Sequence, residues 1–195
     1  MNLNVFLKYY SNEIVKELNN ININIFQNII KTVEKKIKKK KTIFICGNGG
    51  SSAIASHYIC DYLKLIRTNT ELKPRIISLN DNIETITAIG NDINFNQIFK
   101  FQAESLCGKD DLVIIISSSG NSENILELAR WCKNNKITTI NFVGFGGGKL
   151  SKLSKLSLVL QLKNYGQTED IHHMLMHIMM HYIIKKNSKK KFLRL

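Results

Sequence analysis

Between residues 42 and 161 one pattern recurs five times: a short apolar run rich in Ile, Leu and Val that closes on small or polar residues, with helical spacing between runs. The runs are Thr42 to Cys46, Arg75 to Leu79, Leu112 to Ile116, Thr138 to Val143 and Ser157 to Gln161. Continuous rather than alternating apolar character suits strands covered on both faces, and helices between successive strands imply right-handed crossovers in a parallel sheet. The pattern predicts an α/β fold, a three-layer doubly wound sandwich around a five-stranded parallel sheet. Ahead of it, apolar residues from Phe6 to Leu18 and from Phe26 to Ile37 fall at helical spacing on either side of Asn19-Asn20, which predicts a helical pair over residues 1–40. A long helix from about Thr168 to Lys186 closes the pattern. A length of 195 residues matches one domain with its own core.

The formal charge of +13 raises the question of a nucleic-acid partner, and its distribution argues against one. Thirteen of the 28 basic residues lie in two runs, Lys31 to Lys41 and Lys185 to Arg194, which leaves fifteen basic against fifteen acidic residues elsewhere. Lysine runs of this kind read as solvated helix ends and tails, with steering of phosphorylated substrates as a milder use. Cys46, Cys60, Cys107 and Cys132 form no C-x-x-C pair, no segment has the order of a signal peptide, and no apolar run reaches the roughly 18–20 residues of a membrane span. These features predict a cytoplasmic protein with reduced, mostly buried thiols and no membrane partner.

In an open parallel sheet, ligands bind beyond the carboxyl ends of the strands. Two loops stand there: Gly47-Asn48-Gly49-Gly50-Ser51-Ser52 after the first run and Ser117-Ser118-Ser119-Gly120-Asn121-Ser122 after the third. The first begins like a dinucleotide fingerprint, but Ser52 occupies the third glycine position and no acidic residue follows at the ribose spacing. The second offers four hydroxyls just before a helix, where hydroxyls and free N–H groups cradle phosphate without a lysine. A Ser-rich turn capped by Ser122 would carry the same sequence.

Four of the five histidines fall between His172 and His181, and Glu169, His173, His177 and His181 follow one another at four-residue spacing on a single helix face. His57 and Asp61 are also four apart, on the helix after the glycine loop. Two helices that each present an imidazole and a carboxylate could form an N/O metal site or a general acid–base pair. For His173 and His181 ordinary core or surface packing is the simpler reading.

Together, Cys46 to Ser51, the stretch Ile86 to Asp92, the Ser117 to Ser122 loop and the His-rich last helix resemble the phosphoheptose isomerases, which are SIS (sugar isomerase) domain proteins, in order and spacing from about residue 40 to 182. The resemblance implies a single SIS domain over residues 1–195, with the N-terminal helices in an oligomer interface and a basic tail over 187–195. It implies aldose–ketose isomerisation of sedoheptulose 7-phosphate to D-glycero-D-manno-heptose 7-phosphate through an enediol, supplying heptose to lipopolysaccharide or capsule. The usual form is a homotetramer with one Zn2+ per subunit.

Carried over by residue, the sugar-phosphate contacts fall on Asn48, Gly49, Gly50, Ser51, Asn91, Asp92, Ser117, Ser118, Ser119, Ser122 and Glu169. The zinc ligands fall on His57, Asp61, Glu169 and His177, with Asp61 or Glu169 as the base and His177 as the partner that moves the second proton. Asp61 stands where the family has Glu and Glu169 where it has Gln, so one carboxylate is shorter by a methylene and one negative charge is added. The alternatives are an isomerase of another phosphosugar and a SIS-domain protein that senses a phosphosugar or binds a partner without turnover.

Overall fold

A computed structural model describes residues 2–188. The N-terminal pair is α1 (Leu3–Asn19) and α2 (Ile23–Lys38), capped by Asn2 and Asn22, whose side chains accept from the N–H groups of Asn4 and Ile25. Asparagine suits these caps because its short carbonyl side chain satisfies an N–H that the helix leaves free. The sheet comprises β1 (Thr42–Gly47), β2 (Arg75–Ser78), β3 (Leu112–Ser117), β4 (Thr138–Val143) and β5 (Ser157–Val159). All pairings are parallel and the spatial order is β2-β1-β3-β4-β5. The expected doubly wound sheet is present. Two strands are shorter than their apolar runs, β2 by one residue and β5 by two.

Between strands lie α3 (Gly50–Asp61), which continues through a π-helical turn (Tyr62–Ile66) into the short α4 (Arg67–Asn69), then α5 (Ile83–Asp92), α6 (Lys100–Leu106) and α7 (Glu123–Asn134). The closing helix α8 (Tyr165–Asn187) starts three residues earlier than its apolar pattern, because Asn164 accepts from the Gln167 N–H and sets the cap there.

Every residue of β3 is buried, as its unbroken Leu-Val-Ile-Ile-Ile run requires. Alternate residues feed two cores. Ile43, Ile45, Ile114 and Phe142 pack with α2, α3 and α8; Phe44, Cys46, Val113 and Ile115 pack with α5, α6 and α7. Cys46 and Cys132 are buried, Cys107 is half-buried, and Cys60 is exposed on α3, as is His57 one turn before it. No described helix is long and apolar enough to cross a membrane. Of the basic tail, residues 189–195 lie outside the described residues.

The order β2-β1-β3 makes the chain reverse direction across the sheet between β1 and β3. A crevice opens at that point beyond the carboxyl ends of the two strands. The glycine loop leaves β1 there and the serine loop leaves β3.

Candidate active site

The loop after β1 turns sharply into α3 through Gly49, whose φ of 54° is a left-handed value that glycine tolerates and most residues do not. Gly50 serves a second need. A Cβ there would collide with the carboxylate of Glu169, so α8 delivers that carboxylate directly against the N-terminus of α3.

The loop after β3 uses its four hydroxyls unequally. Ser117 Oγ accepts from Gly120 N at 3.0 Å and Ser119 Oγ from Asn121 N at 3.3 Å, which fixes the loop's shape. Ser118 Oγ is buried with no hydrogen-bond partner, and Ser122, although it stands at the N-cap position of α7, makes no capping bond with its side chain. A loop whose purpose was to cap α7 would use Ser122. An orphaned buried hydroxyl and an unengaged one beside a helix N-terminus instead suit an incoming acceptor such as phosphate. Glu123, in the first turn of α7, is drawn toward Arg130 on the next turns of its own helix. A cavity of about 100 Å³ lies between the two loops, lined by Asn48, Ser51, Ser117, Ser118, Ser119, Ser122, Tyr165 and Glu169. The helix N-termini of α3 and α7 thus meet at one small polar cavity.

Next to it α3 and α8 bring imidazoles together. His57 Nε2 lies 3.3 Å from His177 Nε2, and Asp61 spans the pair, with Oδ2 at 3.1 Å from His177 Nε2 and Oδ1 at 3.5 Å from His57 Nε2. Ligands bonded tetrahedrally at about 2.0–2.1 Å stand about 3.3–3.4 Å apart, so the two imidazole nitrogens and the Asp61 carboxylate, which turns one oxygen to each, have about the mutual spacing of a zinc site's ligands. The residues present fit the ion. His173 is adjacent: its nitrogens come within 4.8 Å of the other two imidazoles, and its Nε2 is buried without a partner. Burial, helped by His177 and His57, holds the His173 pKa below the ordinary imidazole value. His172 faces the other way, into the core against Phe142, where burial pushes its pKa down to about 3.

Residues 8–144 match the SIS domain family. A phosphoheptose isomerase of Helicobacter pylori is 35% identical over 154 residues, covering 77% of this chain and 76% of that protein. One from Clostridium acetobutylicum is 33% identical over 160 residues, covering 82% and 81%. The chain belongs to the phosphoheptose isomerase family of SIS-domain proteins. The fold agrees over nearly its whole length: a phosphoheptose isomerase structure from Francisella tularensis superposes with a TM-score of 0.82 at 25% identity, covering 94% of this chain and 96% of that one.

Within this family framework, the chain gathers Asn48, Ser51, Ser117, Ser118, Ser119, Ser122 and Glu169 around one cavity, with Gly50 against the Glu169 carboxylate and Gly49 in the turn before it. His57, Asp61 and His177 form the neighbouring cluster. Asn91 and Asp92 stand apart, exposed at the end of α5, where Asn91 Nδ2 donates to Asp92 Oδ1 at 2.8 Å. Glu169 has no hydrogen-bond or ion-pair partner among the described residues and lines the cavity between the two loops rather than joining the contacts of His57, Asp61 and His177. Sequence spacing passed over His173, because four-residue periodicity puts four side chains on one face of α8 without saying which of them α3 meets.

Proposed function

We propose that this chain interconverts sedoheptulose 7-phosphate and D-glycero-D-manno-heptose 7-phosphate through an enediol, as the family's name implies. The observation that carries the reading is the cavity at the β1–β3 crevice, where unengaged serine hydroxyls and two helix N-termini stand beside an uncommitted carboxylate and an imidazole cluster. Ser118 and Ser122 hold the phosphate, with the N-terminus of α7 adding its dipole. Isomerisation then needs one group to take a proton from the carbon beside the carbonyl and another to move a proton between the two oxygens. Glu169 is the carbon base, because its carboxylate lies in the cavity with no competing partner. Asp61 bridges two imidazoles and is committed to them.

His57, Asp61 and His177 would hold zinc, three protein ligands leaving an open position of the kind catalytic sites keep. A zinc ion there supplies Lewis-acid polarisation of the sugar oxygens. His177 Nε2 is then engaged, and His173, whose Nε2 has no partner, moves the oxygen proton. Sensing without turnover is the weaker reading, since it needs neither a free carboxylate in the cavity nor a free imidazole beside it. Assembly into a homotetramer is supported by the exposed Leu3, Val5 and Leu7 of α1 and by Ile93 and Phe95 next to Asn91 and Asp92. A monomer in sedimentation at micromolar concentration would remove that part. The substrate is tested with metal-defined protein and a panel of five- to seven-carbon ketose phosphates, read by product NMR. Turnover of the seven-carbon ketose in preference to the others is expected; preference for a pentose or hexose phosphate, or no turnover, overturns it.

A further inference from the structure

Two carboxamides outside the cavity grip the glycine loop from opposite sides. From the end of β2, Asn80 binds the main chain of Gly47 twice: Gly47 N donates to its Oδ1 at 3.1 Å, and its Nδ2 donates to Gly47 O at 2.9 Å. From the first turn of α7, Asn124 binds the side chain of Asn48 twice, Asn48 Nδ2 donating to Asn124 Oδ1 at 2.8 Å and Asn124 Nδ2 donating to Asn48 Oδ1 at 2.8 Å. Asn124 is 1% exposed and is not among the residues that line the cavity. Its own orientation is set by the backbone, because Ile125 N donates to Asn124 Oδ1 at 2.9 Å.

That chain of bonds has a direction. With Asn124 Oδ1 fixed by the Ile125 N–H, an inverted Asn48 amide would set oxygen against oxygen and N–H against N–H, losing both bonds. Asn48 is therefore held in one orientation. Its second N–H and its remaining lone pair stay free for a ligand, in a direction dictated by the start of α7, which also follows the serine loop. We infer that Asn124 is a positioning residue: it sets the Asn48 amide for the sugar phosphate and ties the glycine loop after β1 to the phosphate-holding loop after β3. Asn80 does the same for the backbone of Gly47. The inference rests on the proposed role of Asn48 as a substrate contact.

A double-mutant cycle separates positioning from general support of the fold. Asn48→Ala, Asn124→Ala and the double variant are compared in kcat/KM, with melting temperature and the side-chain amide NMR signals of Asn48 recorded for the proteins that retain it. If Asn124 acts through Asn48, Asn124→Ala lowers kcat/KM about tenfold, the double variant is no worse than Asn48→Ala, and the two distinct Asn48 amide proton signals move toward free-chain positions. Multiplicative losses in the double variant, or unmoved Asn48 amide signals, overturn the inference. Should the alanine variant not fold, Asn124→Ser keeps a residue favoured at a helix start and is read in the same cycle. Asn48→Ala with unchanged kcat/KM instead overturns the substrate contact beneath the inference, a result distinguishable from the others because it involves no change at Asn124.

Discussion

Glu169 and His173 stand one turn apart on α8 and face different surroundings, the first against Gly50 at the cavity between the two loops and the second beside His57 and His177. The division yields opposite expectations for two substitutions. Glu169→Gln removes the proposed carbon base while keeping nearly the same shape, so kcat is expected to fall about a hundredfold or more at any zinc level with zinc affinity unchanged. His173→Ala lowers kcat roughly ten- to a hundredfold and leaves zinc affinity within a few-fold. Competition with a chromophoric chelator, run alongside steady-state kinetics, checks both. Loss of zinc from the Glu169 variant would put that carboxylate back among the ligands. At this scale the place of the serine loop was legible, because it follows a buried strand of a parallel sheet, whereas the idle Ser122 hydroxyl was not, since a capping serine would carry the same sequence. The division of labour on α8 was not, since it depends on which turn of that helix α3 crosses.

At the scale of elements, the lysine runs show how local sequence misleads about role. Lys38 from the first run and Lys186 from the second meet on Glu34, with Nζ–Oε distances of 2.6 and 2.7 Å, and Asn187 donates to Glu34 Oε1 at 3.1 Å. Lys36 donates to the main-chain oxygens of Asp110 and Asp111 at 2.6 and 3.2 Å. Part of what reads as solvated charge thus fastens α2 to α8 and to the loop before β3. Desolvation by burial alone would raise the Glu34 pKa, but the hydrogen bonds from Lys186, Lys38 and Asn187 outweigh it and bring the value down from 4.5 to about 2.

At full weight such a depression corresponds to roughly 3 kcal/mol, and half-exposed lysines reduce it to about 1–2 kcal/mol. Because the folded pKa is depressed, this stability is complete above the unfolded value near 4.5 and is lost as pH falls toward about 2. Glu34→Gln is therefore expected to lower unfolding stability by about 1–2 kcal/mol at pH 7 in urea titrations, with the gap to wild type closing below about pH 4.5. A gap that persists undiminished at pH 3 would mean that the charge on Glu34 is not the source. The strands were readable from apolar runs and the N-terminal pair from helical spacing, while the start of α8 at its Asn164 cap was missed by three residues. The π turn over Tyr62–Ile66 was not, because nothing in Tyr-Leu-Lys-Leu-Ile distinguishes it from an ordinary helix.

For the whole molecule, the alternation of strand and helix was enough to place both loops at the carboxyl ends of parallel strands, while the strand order that opens a crevice between them is seen only in the structure. What alternation could not convey is how a single copy leaves Asn91 and Asp92 outside that crevice, a matter of surfaces rather than of pattern. In the proposed reaction a carboxylate of this chain exchanges a carbon-bound proton of a phosphosugar with solvent at the β1–β3 crevice. Running the reaction on sedoheptulose 7-phosphate in deuterium oxide and following it by proton and carbon NMR measures that directly. The expected result is deuterium at C2 of the aldose product and at C1 of the remaining ketose, with both signals lost in Glu169→Gln. Product that keeps protium throughout at C2, or deuterium incorporation undiminished in the Glu169 variant, would contradict it.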